Sequence, residues 1–305
     1  MVFDKKTLVI PNETINENSN MQVPGDIILD DRTEVDYNLQ TDKRIFIGEW
    51  VKVHGDMAAV DDIRIDKFSE IHGDINGGND IYLGERVKVD GKLTVGKDLE
   101  VGSDVSIEKG FDAKGWINIR NPIPLIIYFF IYLFNLIKRG HSEEVERILR
   151  EIDEQEQTAE EILVSENFLY IPTGSVVEPE QINIKGNCRI GSNCKLKGKY
   201  NVTGEVKLGD DTEFIGNIIA KGNITIGDNI ELTGSLESKE HISIGQGCKI
   251  SGDVTCKTLE MVQNAIIEGV IHAPDGIKIT QLAVEEMDEK LRKFDKGLDG
   301  LDEIL

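Results

Sequence analysis

His54 and His72 stand 18 residues apart, and Asp90 and Glu108 continue the same spacing. Imidazoles stacked over carboxylates could supply a general base, because histidine titrates near neutrality and a neighbouring carboxylate orients its ring. The surrounding stretches, "VHGD" and "IHGD", are polar corners, and no inserted loop is at hand to fold over a substrate. The expectation is a solvated ladder, with no catalytic residue, no cofactor and no small-molecule substrate. Aspartates at other corners, Asp61 and Asp62 among them, could touch calcium, but the Gly-Gly-x-Gly-x-Asp repeat that builds such sites is missing. Cys188, Cys194, Cys248 and Cys256 form neither a CxxC pair nor a Cys/His cluster. No metal site and a reducing, cytoplasmic setting are therefore expected.

What positions these residues is a repeat. From residue 45 the rows read "IFIGEWVKVHGDMAAVDD", "IRIDKFSEIHGDINGGND" and "IYLGERVKVDGKLTVGKD"; from residue 206 they read "VKLGDDTEFIGNIIAKGN" and "ITIGDNIELTGSLESKEH". Apolar residues fall at row positions 1, 3, 7, 9, 13 and 15, with glycine common at 4 and 11. An apolar-x-apolar triplet is a short strand with two side chains on one face and one on the other. Three triplets per row, separated by Gly- and Asp-rich corners, make a three-sided coil. Successive coils stack about 4.8 Å apart and bury a core that no single row could enclose. All four cysteines fall on inward positions, where a thiol serves as a small apolar filler.

The register runs twice. The lead-in stretches "VIPNETINENSNMQVPGD" (9–26) and "YIPTGSVVEPEQINIKGN" (170–187) also match each other. The expected fold is an all-β solenoid: two tandem three-sided parallel β-helices of about six coils each, over 1–120 and 166–280. An apolar helix (121–140), an acidic amphipathic helix or linker (141–165) and a C-terminal amphipathic helix (281–305) complete the chain.

The rows carrying Ile81, Leu83, Gly84, Val89, Gly91 and Leu93, and again Ile224, Ile226, Gly227, Leu232, Gly234 and Leu236, resemble those of the bactofilins, a polymer-forming cytoskeletal family. The resemblance covers about 9–120 and 170–280. It implies a right-handed β-helix, a non-enzymatic structural role, and self-association into oligomers or filaments by abutting solenoid ends, at the inner membrane surface in many members. This chain differs from a typical member in its two solenoids and its internal apolar segment. A competing resemblance is to the hexapeptide-repeat acyltransferases, which also have 18 residues per coil and would use His54 or His72. They need one apolar residue per six, whereas these rows place two.

Composition narrows the partners. Fifty-six acidic against thirty-four basic residues give a formal charge of −22, which argues against nucleic acid. The N-terminal stretch lacks the apolar core of a signal peptide. The segment "NPIPLIIYFFIYLFNLIKRG" (121–140) is apolar on every side: Leu125, Ile126, Ile127, Tyr128, Phe129, Phe130, Ile131, Tyr132, Leu133, Phe134, Leu136 and Ile137. From Pro122 to Ile137 no charge occurs, yet a bilayer core needs about 20 such residues.

A matching surplus lies on the outside of the first solenoid. Row position 2 there holds Ile28, Phe46 and Tyr82, broken by Arg64, and position 6 adds Trp50 and Phe68. The second copy holds Arg189, Lys207, Thr225 and Ser243 at position 2. Two readings stand: the apolar helix covers this column, on its own or a neighbouring chain, or helix and column together face a membrane. A third use of the column is as an adaptor surface for another protein.

Overall fold

The computed structural model describes residues 5–119 and 164–281. Within each triplet the alternation works as the pattern requires. In Ile45–Ile47 the two isoleucines are buried and Phe46 points outward. Ile63 then pairs in register with Ile45 on one side and Ile81 on the other, so identical row positions stack. Repetition produces three sheets of 14, 12 and 12 strands, parallel except for one antiparallel pair near the centre of each. They enclose one continuous core of isoleucine, leucine and valine, with the four cysteines among them. The chain is thus an all-β solenoid of about twelve coils, and no helix occurs among the described residues. The helices expected in 121–140, 141–165 and 281–305 lie outside those residues, apart from their margins.

Both copies contribute their coils to the same three sheets, in one solenoid. The order in the largest sheet runs from Ile117–Ile119 back to Asp26–Leu29, across the middle, and outward from Asn187–Ile190 to Gly276–Thr280. The first coils of the two copies therefore meet at the centre, and the last coils lie at opposite ends.

The lead-in strands are exchanged at this junction. Thr7–Ile10 pairs in parallel with Asn187–Ile190 of the second copy, and Phe168–Ile171 pairs in parallel with Asp26–Leu29 of the first. The two lead-in strands meet antiparallel through Val9 and Tyr170, which are each other's counterparts in the repeat. The exchange recurs one side further round. Ile15 pairs with Lys195, and Val176–Val177 with Glu34–Val35. The arrangement has an approximate two-fold axis through the Val9–Tyr170 pair, and each copy's opening strand completes the other copy's first coil.

Buried polar groups hold the junction. Asp26 is fully buried; its carboxylate accepts from Arg44 Nη2 at 2.7 Å, Arg44 Nε at 3.1 Å and the Ser165 N–H at 2.8 Å. Asp30 accepts from the Tyr170 hydroxyl at 2.7 Å and from Thr173 Oγ1 at 2.6 Å. Asn16 Nδ2 donates to the Tyr37 hydroxyl at 2.9 Å inside the core. Each group ties the first copy to the chain's return near 165–173 or closes a coil beside it, as buried polar atoms must be partnered.

Close stacking explains one glycine column. A Cβ added at Gly73 would lie 2.3 Å from the Gly55 carbonyl oxygen, and one at Gly91 would lie 2.1 Å from that of Gly73. Side chains do not fit between coils at this corner.

Candidate interaction surfaces

The histidine column forms as the spacing predicts. The rings of His54 and His72 stack with centroids 4.9 Å apart. His54 Nε2 lies 3.0 Å from Glu34 Oε1, and His72 Nδ1 contacts Asp90 Oδ2. Both rings are exposed, and neither lines the groove formed by Phe46, Arg64 and Tyr82 on another face. The geometry is that of a surface ladder of imidazoles and carboxylates.

The acidic corners are occupied by the backbone. Asp62 Oδ1 accepts from the Asp80 N–H at 3.1 Å, Asp80 Oδ1 from the Asp98 N–H at 3.0 Å, and Asp98 Oδ1 from the Trp116 N–H at 2.7 Å. A second column repeats this through Asn38, Asp56 and Asp74, each accepting from the N–H one coil on. The second copy does the same through Asp210 and Asp228. Side-chain oxygens of Asp and Asn here replace hydrogen bonds that the turning backbone loses between strands. No group of side chains with the make-up of a metal site occurs among the described residues.

The cysteines are buried at their inward positions. Burial pushes the Cys188 thiol up to about 12, and burial likewise raises Cys194, Cys248 and Cys256. Such thiols are poor nucleophiles.

The outward column of the first copy lies on one face of the largest sheet. Ile28, Phe46, Arg64 and Tyr82 lie side by side in register, with Glu100 and Asn118 continuing the row. Ile28, Phe46 and Tyr82 are half-buried. An open groove of about 980 Å³ runs along this face. Its floor is Phe46, Arg64 and Tyr82; its flank is the corner column of Asp62, Asp80, Asp98 and Trp116, with Arg44 at its inner end. Arginines interleave the rings. The Arg44 guanidinium lies 5.2 Å from the Phe46 centroid, and that of Arg64 lies 5.1 Å from Tyr82. Arg64 is thus part of the column, which the sequence pattern alone makes look interrupted there. Arg44 and Trp116 escape the pattern of row positions 2 and 6; their shared row position, 18, is the signal that places them on the flank.

Trp50 and Phe68 sit at the next corner of the same side, stacked with centroids 4.3 Å apart, and Arg86 lies over Phe68 at 5.6 Å. Trp50 is 51% exposed. Both residues occupy left-handed backbone, with φ of 59° and 61°. The second copy fills the same corner with Asn193, Asp211, Asn229 and Gly247, the residue types that tolerate this conformation. A bulky aromatic there costs about 1–2 kcal/mol of backbone strain. The first copy therefore keeps an exposed ring, Trp50, and a half-buried one, Phe68, at a position where local preference opposes them.

The two solenoid ends carry a further apolar surplus, one that periodicity does not announce. Ile117 and Ile119 occupy row positions 1 and 3, the positions buried in the inner coils from Ile27 to Leu83, yet they are 46% and 69% exposed. Trp116 and Phe111 lie exposed beside them. At the opposite end Ile277 and Ile279 are in core register with Leu259 and Met261, and they are exposed, with Val270 and Ile266 nearby. Among the described residues, each end is a cross-section of the core whose outermost strand has a neighbour on one side only. The twelve apolar residues named between Leu125 and Ile137 lie outside the described residues, and no described helix is long and apolar enough to cross a membrane.

Among known families, residues 170–272 match the model described as "Bactofilin: Polymer-forming cytoskeletal". No curated protein and no solved structure matches the chain.

Proposed function

We propose that this chain, whose residues 170–272 match the bactofilin family model, is a non-enzymatic structural protein that self-associates through its two solenoid ends. The observation that carries this reading is the exposure of Ile117, Ile119, Ile277 and Ile279 in core register. Burying such surface against a second copy extends the core and pairs the open strand edges. Because the copies meet at their first coils, both free ends are of the same kind, the last coil of a repeat. Assembly by such ends produces a rod without polarity, each junction related by a two-fold axis.

The test is sedimentation and electron microscopy of the full chain beside a variant with Ile117→Lys and Ile277→Lys. The expected result is concentration-dependent oligomers or filaments for the first and a folded, non-assembling chain for the second. A parent chain that stays monomeric at every concentration and salt, or a variant that assembles equally well, overturns the reading.

A further inference from the structure

The groove on the first copy lies between the strand after which the chain leaves the solenoid and the strand on which it returns. Ile117–Ile119 is the outermost strand of the largest sheet on that side, and Phe168–Ile171 is the strand six steps inward on the same sheet. At about 4.8 Å per step, residues 120–167 connect points about 29 Å apart along the face that carries the groove. The 16 uncharged residues 122–137 reach about 24 Å at helical rise. Their length thus matches the run of Glu100, Tyr82, Arg64 and Phe46 that lies between the two points.

The second copy offers a comparison within the same molecule. Among the described residues, no strand that follows its last coil rejoins the sheets further in. Its outward column is correspondingly polar: Arg189, Lys207 and Thr225 are exposed. Only the copy that precedes the apolar segment in the chain has aromatic rings, Phe46 and Tyr82, in this column, and among the described residues only that copy carries aromatic rings at left-handed corners beside it. An apolar face held at a cost in strain marks a contact surface.

We propose that the groove of Phe46, Arg64 and Tyr82 is the docking site of this chain's own segment 122–137, laid from the outer end toward the centre. The segment covers the aromatic column, and the column gives the segment an alternative to lipid. This proposal is independent of whether the ends polymerise.

Its test is paired-cysteine crosslinking in the full chain, made selective by the burial of all four native thiols. The direction of the path sets the register. Tyr82→Cys should join Ile126→Cys, and Phe46→Cys should join Leu133→Cys, each within one chain at high dilution. The crossed pairs, Tyr82→Cys with Leu133→Cys and Phe46→Cys with Ile126→Cys, should join at least tenfold less. Thr225→Cys, on the second copy, should join neither. Equal yields for matched and crossed pairs, or joining between chains instead of within them, overturn the proposal. So does protection of Ile126→Cys from maleimide only when phosphatidylcholine–phosphatidylglycerol vesicles are added, which would assign the segment to a membrane. Unchanged far-ultraviolet circular dichroism of each variant establishes that the solenoid is intact.

Discussion

At the scale of single residues, Asp26 is the side chain on which the junction turns. Burial alone would raise its carboxyl. Hydrogen bonds from the Arg44 side chain and from the backbone of Ser165 and Arg44 outweigh that, and the group titrates below its ordinary value of 3.8. A carboxyl depressed by folding contributes stability that is present above 3.8 and is lost as pH falls through the folded-state value. Asp26→Asn should therefore lower the unfolding free energy at pH 7 by about 2–3 kcal/mol, since it leaves Arg44 without its charged partner. The deficit should shrink as both proteins are taken from pH 5 toward pH 2. Denaturant midpoints across that range check it, and a deficit independent of pH would mean that the carboxylate's charge contributes nothing. Trp50 and Phe68 show the opposite case, residues whose local backbone conformation opposes their type. Their row position is visible in the sequence; the sign of φ is not, because a repeat records which corner a residue occupies and not which way the backbone turns there.

At the scale of the element, the coil is legible almost entirely from spacing. Every triplet must alternate, and a slip by one residue would turn Ile45 and Ile47 outward and Phe46 inward. The glycine column is legible too, though its cause is the closeness of Gly55, Gly73 and Gly91 to the carbonyl below and not positive φ. Gly73→Ala should cost about 2–3 kcal/mol, because the new methyl meets backbone that cannot yield without shifting a coil. Calorimetry or urea unfolding of this variant beside Asn76→Ala, whose side chain points outward in a neighbouring strand, measures the difference. Equal stability of the two would refute the close-packing account. The exchanged lead-in strands are not legible. Residues 7–10 and 168–171 have the same inward and outward alternation and suit either first coil. Periodicity describes the strand and leaves its neighbour open; side-chain ties such as Tyr170 to Asp30 belong to the neighbour.

At the scale of the whole molecule, the acidic charge and the apolar ends oppose each other. Two chains meeting end to end bring together bodies of formal charge −22. Raising salt from about 10 mM to about 150 mM shortens the screening length from roughly 30 Å to roughly 8 Å. Assembly should strengthen across that range, and light scattering against sodium chloride concentration measures it; assembly that weakens with salt would point to ion pairs, not apolar burial, at the ends. The exposure of Ile117, Ile119, Ile277 and Ile279 escapes sequence reading because a terminal row looks like any other row. The exchange at the centre also constrains how the chain is made. When residues 27–119 have left the ribosome, their innermost coil still lacks the strand 168–171 that borders it. At about 5–20 residues per second, the missing strand arrives only seconds later. During that interval the growing chain presents an unsealed sheet edge to its neighbours on the same message. Slow translation of residues 120–167 would lengthen the interval in which two nascent chains could exchange opening strands with each other, so the speed of synthesis would help decide whether the central junction closes within one chain or between two.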